Sequence, residues 1–304
     1  MATKVLLIGY TGENTIRHLL TQAAEMHIDL IFLDLESFYS RGSISFQSRD
    51  SASSYISLDN ETLPLDESCG VYQRIIPPFA ERLNSEDYSI QFSKYIALQT
   101  ALQIAVSRVI NRPGAGWENS SKPLQMALLK KAGFNVPVSL STSIPDDFVL
   151  FSQQYETIYK SNSSVRSIVE STERKEPASY ERLRACPVLF QSRIKGYDVR
   201  IHTVDGQAFG VKISSDVVDY RYSKRKGGAS HYAPITDIPN PIRDACLKYA
   251  QSRGIIFAGF DFKVDFEGKW YCLEMNPMPG YEGYDKVLDH RITQKIFTYL
   301  SGES

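Results

Sequence analysis

The segment 258–276 alternates in a way that is typical of a β-hairpin, with Glu267 and Gly268 as its turn. In that register Asp261 lies directly opposite Glu274, and the period of two places Asn276 on the same face. The other face is apolar and consists of Phe262, Val264, Phe266, Tyr271, Leu273 and Met275. A slip of one residue would mix the two faces, so their separation supports this register.

Two opposed carboxylates repel each other unless a cation lies between them. Carboxylate and amide oxygens suit Mg²⁺ or Mn²⁺, so Asp261, Glu274 and Asn276 are candidate metal ligands. The alternative is a solvated polar face on which Lys263 neutralises the carboxylates, which is common in antiparallel sheets. The hairpin alone favours neither interpretation.

A magnesium ion of this kind usually binds together with substrate phosphates, and two lysines could hold them. Lys122 lies at the start of a predicted helix, where backbone N–H groups favour anions. Lys160 ends an apolar strand just before the small-residue segment Ser161–Ser164, which could donate to phosphates. Taken singly, each lysine is more typical of an ordinary surface residue, and the segment lacks the glycines of a Walker loop.

A second polar face is predicted in the segment 196–202, where alternation places Asp198, Arg200 and His202 together with apolar residues opposite. Pairing of aspartate and arginine within the face is an ordinary explanation for such a pattern. The basic segment 221–228, which contains Arg221, is by itself typical of a solvated turn.

The elements that would position these residues begin with a strand at 5–8, a helix at 15–26 and a strand at 29–33. This βαβ order is typical of a parallel sheet. Apolar residues at spacings of three and four then predict a helix from Phe92 to Val109, with Pro113 just beyond its end.

The rest of the chain alternates short strands and helices. A helix that starts near residue 122 would end at Gly133, and 161–178 are predicted to be a mobile loop. The last 120 residues or so resemble antiparallel strands flanked by helices, with Asp205-Gly206 as a hairpin turn and a final helix around 287–300.

Composition excludes several classes of protein. The chain has 304 residues, enough for two domains, and 42% of them are hydrophobic, which is typical of a globular protein. Its 34 Lys and Arg against 35 Asp and Glu provide no general attraction to nucleic acid or anionic lipid. No window approaches the roughly 18 apolar residues of a membrane span, and no signal peptide is recognisable, so we expect a cytoplasmic protein. The four widely spaced cysteines favour neither a disulfide scaffold nor a zinc site.

Taken in chain order, the candidate residues resemble the ATP-grasp superfamily of carboxylate–amine ligases over roughly residues 110–285. The ordered set is Lys122, Lys160, Asp198-x-Arg200, Arg221, Asp261 and Glu274-x-Asn276. The closest resemblance is to the branch of the ribosomal-protein glutamate ligase and the graspetide (microviridin-type) macrocyclases. The phrases that carry it are Asn119-x-Ser121-Lys122, Phe190-Gln191-x-x-Ile194, Asp219-Tyr220-Arg221 and Glu274-x-Asn276-Pro277.

The resemblance implies an α/β (α+β) protein with the ATP-grasp fold in three parts. Residues 1–110 would be an N-terminal α/β pre-ATP-grasp domain, 111–187 a central lid subdomain and 188–304 a C-terminal subdomain with the metal site. The two α+β subdomains would hold ATP between them.

The resemblance also implies a role for each candidate residue. Nucleotide binding would fall to Lys122, Lys160, Ser161, Asp198 and the adenine hinge formed by Gln191, Arg193 and Ile194. Arg200 and Arg221 would be catalytic and stabilise the transferred phosphate, while Asp261, Glu274 and Asn276 would bind Mg²⁺ or Mn²⁺. Two departures from the family pattern are Gln191, where the hinge usually has an acidic residue, and a loop rich in Ser instead of Gly.

The implied reaction is ATP-dependent formation of an amide bond through an acyl phosphate, with release of ADP and phosphate. The substrates would be a carboxylate and an amine of an amino acid or a ribosomally made peptide. The resemblance further suggests a homodimer or tetramer. The balanced charge predicts neither nucleic acid nor membrane as a partner. A kinase of the same fold, which phosphorylates a hydroxyl, is the alternative, and a nucleotide-binding protein without activity is a third class.

Overall fold

The structure is a computed structural model that describes residues 4–47, 49–59, 61–163, 170–171, 183–215 and 230–303. The strands in chain order are β1 (Lys4–Gly9), β2 (Leu30–Asp34), β3 (Ser43–Ser45), β4 (Tyr55–Leu58), β5 (Glu61–Pro64), β6 (Cys69–Gln73), β7 (Arg108–Ile110), β8 (Ser139–Thr142), β9 (Thr157–Lys160), β10 (Glu170–Ser171), β11 (Val188–Ser192), β12 (Gly196–Val204), β13 (Gln207–Ser215), β14 (Ser230–Ile235), β15 (Phe257–Asp265) and β16 (Trp270–Asn276). The helices are α1 (Asn14–Glu25), α2 (Leu35–Arg41), α3 (Ser85–Ile104), α4 (Lys122–Lys131), α5 (Pro145–Gln154), α6 (Asn240–Ser252), α7 (Glu282–Val287) and α8 (Arg291–Ser301). Among the described helices, none is long and apolar enough to cross a membrane.

The N-terminal sheet is parallel, has the order β2-β1-β6-β7, and contains the predicted βαβ start. Its central strand β1 is buried on both faces, as parallel sheets usually are. Val5 and Leu7 pack in one core with α1 and α8, whereas Leu6 and Ile8 pack in a second core with α2 and α3. The C-terminal helix therefore completes the N-terminal sheet.

The helix predicted from Phe92 to Val109 is wrong at its end. α3 ends at Ile104, and Val109 lies in the buried strand β7, which pairs with β6. Phe92 and Ile96, which the periodicity assigned to the buried face, are exposed. A short apolar run can form a buried strand as readily as a helix, and periodicity alone does not distinguish them.

The central sheet is antiparallel with the order β10-β9-β11-β8, and α5 packs against it through Phe148 and Phe151. β11 pairs with both β8 and β9. The predicted boundary after residue 187 therefore falls just before a strand that belongs to the central sheet. The division into 1–110, 111–187 and 188–304 stays a prediction.

The C-terminal sheet is antiparallel with the order β14-β13-β12-β15-β16. One face packs against α6 through apolar residues such as Ile201 and Phe260. The predicted Asp205-Gly206 turn joins β12 to β13, and both residues have the positive φ of a type I′ turn (41° and 77°). The other face of β12 and β15 is the polar one.

A buried carboxylate connects the N-terminal unit, which is the parallel sheet with α1, α2 and α3, to the last two helices. Asp285 of α7 accepts hydrogen bonds from the N–H groups of Ile292 and Thr293, which begin α8 (2.9 and 3.2 Å), and lies 2.8 Å from Nε2 of His18 in α1. Burial alone would raise the pKa of Asp285, but hydrogen bonds from His18 and Thr293 outweigh it and keep that pKa below its usual value. Asp285 therefore caps α8 as an anion.

We expect Asp285→Ala to lower the free energy of unfolding by about 2–4 kcal/mol, because it removes a helix cap and leaves buried donors unsatisfied. Urea unfolding at pH 7 measures this. The control is Asp244→Ala, which removes an exposed carboxylate paired with Arg243 (3.0 Å) and should cost about 0.5 kcal/mol or less. Equal losses in the two variants would contradict the capping role.

Candidate functional site

The hairpin β15–β16 brings the three candidate metal ligands to one face. Asp261 pairs directly with Glu274, and Asn276 pairs with Gly259 one step along the same face. This register between the two carboxylates is the predicted one. The donor set consists of two carboxylates and an amide oxygen, which fits Mg²⁺ or Mn²⁺.

The turn of the hairpin differs from the predicted Glu267-Gly268 loop. The N–H of Asp265 donates to the carbonyl of Lys269 (3.0 Å), and the Asp265 carboxylate accepts the N–H groups of Glu267 and Lys269 (3.0 and 2.8 Å). The longer turn shifts the pairing by one residue, and a bulge at Leu273 shifts it back before Asp261 meets Glu274.

The bulge also corrects the predicted apolar face. Cys272 and Met275 are fully buried, three residues apart, whereas Tyr271 and Leu273 are partly exposed. Phe266, predicted to lie on this face, is 86% exposed at the turn. A strand without a bulge could not bury positions 272 and 275 on the same face while Glu274 and Asn276 share the other.

Arg200 of β12 lies on the strand next to β15, on the same face as the candidate metal ligands. Its Nη1 is 2.7 Å from Oδ1 of Asp261, its direct neighbour in the register, and its Nε donates to Nε2 of His202 (3.3 Å). Gly259 provides the space, because a Cβ there would lie 2.2 Å from Nη2 of Arg200. The predicted face of Asp198, Arg200 and His202 is therefore present.

Lys263, which the alternative interpretation assigned to the carboxylates of Asp261 and Glu274, forms its ion pair with a different carboxylate. Lys263 pairs with Asp198 (2.9 Å), while Arg200 pairs with Asp261. Each cation bridges β12 and β15.

His202 is completely buried beside this arginine. Burial, with a smaller contribution from the charge of Arg200, holds the pKa of His202 well below its usual range. Its Nδ1 has no hydrogen-bond partner within the described residues. His202 is therefore neutral at pH 7 and accepts from Arg200 without competing for its charge.

The two predicted phosphate-binding lysines lie on neighbouring segments. The backbone N–H of Lys122 donates to the carbonyl of Asn162 (3.0 Å), and its Nζ contacts the carbonyl of Ser163. Ser161 also donates to that carbonyl (3.2 Å). The start of α4 is thus joined to the residues that follow Lys160. Phosphate binding by Lys122, Lys160 and Ser161 stays a prediction.

Gln191 takes part in the same region. It is buried, and its Oε1 accepts a hydrogen bond from Nζ of Lys160 (3.0 Å) while its Nε2 donates to Ser139 (3.1 Å). The amide is neutral, so this contact orients the lysine without cancelling its charge. An acidic residue at position 191 would form a buried ion pair there instead.

Other residues of the predicted adenine hinge make hydrogen bonds and an ion pair within the protein. The N–H groups of Ser192 and Arg193 donate to the carbonyls of Val138 and Glu156 (2.9 and 2.7 Å), and the Arg193 side chain pairs with the Glu156 carboxylate (2.6 Å). Adenine binding at Gln191, Arg193 and Ile194 stays a prediction. Arg221 lies outside the described residues, as does most of the predicted loop 161–178.

A buried glutamine that the sequence patterns did not single out joins the two halves of the site. Gln125 of α4 donates to the carbonyl of Met275 (2.7 Å) and accepts from its N–H (3.0 Å). Met275 lies between Glu274 and Asn276, so the helix that starts with Lys122 fixes the metal-face strand. The sequence signal that could have found it is a polar residue on a helix face that is otherwise apolar.

Residues 119–300 match the family described as RimK-like ATP-grasp domain, and the chain belongs to this family. No curated protein matches the sequence. The predicted superfamily, branch and ATP-grasp fold are confirmed, and ATP and Mg²⁺ fit the family.

Several solved structures have the same fold. The macrocyclase MdnC from Microcystis aeruginosa MRC, bound with precursor peptide MdnA, is 19% identical with a TM-score of 0.81 and covers 99% of this chain and 100% of its own. The ATP-grasp ligase PsnB, complexed with a variant of its minimal precursor, Mg and ADP, is 22% identical with a TM-score of 0.79 and covers 99% of both chains. The Chryseobacterium gregarium RiPP-associated ATP-grasp ligase, in complex with ADP and a leader and core peptide, is 18% identical with a TM-score of 0.81 and covers 99% of this chain and 97% of its own.

The buried neutral His202 predicts a pH dependence of stability. The unfolded chain binds a proton at this histidine below about pH 6.5 and the folded chain does not. The free energy of unfolding should therefore fall as pH drops from 7 to 5, and His202 contributes up to about 1.4 kcal/mol per pH unit to that fall.

The variant His202→Gln keeps an acceptor for Arg200 but cannot titrate. Urea unfolding of both proteins between pH 5 and 8 should give a flatter profile for the variant. Parallel profiles would mean that His202 is protonated in the folded protein.

Proposed function

We propose that this protein is an ATP-dependent ligase that joins a carboxylate to an amine of a peptide substrate through an acyl phosphate. The observation that carries the proposal is the direct opposition of Asp261 and Glu274, with Asn276 beside them and Arg200 against Asp261. Family membership over residues 119–300 supports the same reaction.

The reaction requires a carboxylate to be made into an acyl donor. A carboxylate oxygen attacks the γ-phosphorus of ATP and ADP leaves; the amine nitrogen then attacks the acyl carbon, loses a proton and displaces phosphate. Asp261, Glu274 and Asn276 would hold Mg²⁺, which when bound offsets the charge of the phosphates.

The chain's own cations would stabilise the charge that moves. Lys122 and Lys160 would bind the phosphates, and Arg200, with Arg221, would lie against the transferred phosphoryl group and then the tetrahedral oxyanion. Arg200 is held in place by Asp261 and by the neutral His202. An arginine fixed before the reaction costs no reorganisation when the charge develops.

The peptide part of the proposal is supported by what the similar structures contain. MdnC, PsnB and the Chryseobacterium gregarium ligase were each solved with a precursor or a leader and core peptide, and we propose the same substrate class here. A dimeric or tetrameric state and a cytoplasmic location without nucleic acid or membrane partners stay predictions.

The test supplies Mg²⁺-ATP, hydroxylamine and candidate peptides, including one encoded beside the gene, and follows products by mass spectrometry. Hydroxylamine traps an acyl phosphate as a hydroxamate, so a hydroxamate together with ADP is the expected result. A stable phosphorylated product without hydroxamate would contradict the ligase and favour the kinase.

The variant Glu274→Gln should lower ATP turnover at least about a hundredfold, because a lost carboxylate ligand removes several kcal/mol of charge stabilisation. Its unfolding should change little, since it relieves the repulsion between two opposed carboxylates. The matched control is Glu267→Gln in the exposed turn of the same hairpin, which should turn over ATP like the wild type. Normal turnover in a folded Glu274→Gln would reject the metal assignment.

A further inference from the structure

Three successive carbonyl oxygens that follow Asn276 are held by side chains of the N-terminal unit. Nδ2 of Asn111 donates to the carbonyl of Pro277 (2.6 Å). Nη1 of Arg74 donates to the carbonyls of Met278 and Pro279 (3.2 and 3.1 Å). We call these contacts the 277–279 clamp.

The two donors come from one edge of the parallel sheet. Arg74 directly follows β6 and Asn111 directly follows β7, and these strands are neighbours. The carboxyl ends of parallel strands meet at the same edge, so the topology places both side chains over the segment 277–279.

Both donors are fixed by further contacts. Asn111 is 5% exposed; its Nδ2 also donates to the carbonyl of Phe257 (2.5 Å), and its Oδ1 accepts the N–H groups of Ile256 and Phe257 (2.8 and 3.0 Å). The Arg74 side chain is 12% exposed and pairs with Glu13 at the start of α1. Neither can move without breaking other buried interactions.

The clamp reaches the metal face through one planar peptide unit. The carbonyl of Pro277 and the N–H of Met278 belong to the same peptide group. Its carbonyl is held by Asn111, and its N–H donates to Oδ1 of Asn276 (2.8 Å). That hydrogen bond orients the amide, and the second lone pair of Oδ1 remains for a cation.

We propose that Arg74 is a positioning residue for the metal site, which sets the Asn276 amide through the 277–279 clamp that it forms with Asn111. This inference rests on the proposed function, in which Asn276 is a metal ligand. Residues that orient a metal ligand typically change metal affinity about 10–100-fold when they are replaced.

A clamp that only joined two units of the fold would affect stability and nothing else. Arg108 offers a matched control, because its guanidinium also donates to a backbone carbonyl of the C-terminal part, that of Leu300 (3.1 Å), away from the segment 277–279. Arg74→Met and Arg108→Met each replace one such arginine with an unbranched apolar side chain.

The experiment measures Mn²⁺ binding in the presence of ADP by the electron paramagnetic resonance of free Mn²⁺, beside urea unfolding of each variant. Arg74→Met should raise the Mn²⁺ concentration for half-saturation by about tenfold or more. Arg108→Met should stay within about twofold of the wild type. Arg74→Lys keeps one donor nitrogen and the charge beside Glu13, so its Mn²⁺ concentration for half-saturation should lie between those of the wild type and Arg74→Met. This variant decides the matter if Arg74→Met does not fold.

Equal Mn²⁺ affinity in the wild type, Arg74→Met and Arg74→Lys would overturn the positioning role and leave the proposed function intact. A similar loss of affinity in Arg108→Met would also overturn it, since a general loosening of the fold would then explain the effect. Wild-type protein that fails to bind Mn²⁺ with ADP would reject the metal site itself, and the proposed function with it.

Discussion

Two carboxylates that face each other across paired strands destabilise a sheet unless positive charge is supplied, and the site is organised around that constraint. Asp261 and Glu274 are opposed in the hairpin, and the fold places Arg200 on the neighbouring strand directly beside Asp261. The glycine at 259 leaves the space that this arginine fills. Two opposed carboxylates with an amide oxygen beside them are the oxygen ligands that a divalent cation prefers.

Near Asp261 and Glu274, one further cation is paired with another carboxylate and one histidine is neutral. Lys263 forms an ion pair with Asp198, and His202 is buried and neutral. On the other side of the proposed nucleotide site, Lys160 donates a hydrogen bond to the neutral Gln191. Gln191 therefore leaves the charge of Lys160 uncancelled, whereas an acidic residue at position 191 would form an ion pair with it.

Contacts between neighbours on a strand or across a hairpin were predictable from the sequence. The opposition of Asp261 and Glu274 and the common face of Asp198, Arg200 and His202 follow from a period of two. The turn and the bulge at Leu273 were missed, because two register shifts of opposite effect leave the pairing at Asp261 unchanged. Val109 was assigned to a helix because an apolar run carries no sign of the strand with which it will pair. Gln125, Arg74 and Asn111 act on backbone groups between about 150 and 205 positions away, and no local pattern encodes such a contact.

The packing of α8 on β1 has a consequence for synthesis on the ribosome. Val5 and Leu7 share a core with Ile292, Ile296 and Leu300, so β1 is made long before the helix that packs on it. Until α8 is made, part of the apolar surface on that face of the sheet stays open while the intervening residues are translated. Chains that stop short of α8 would therefore be clients of chaperones and proteases instead of smaller working enzymes.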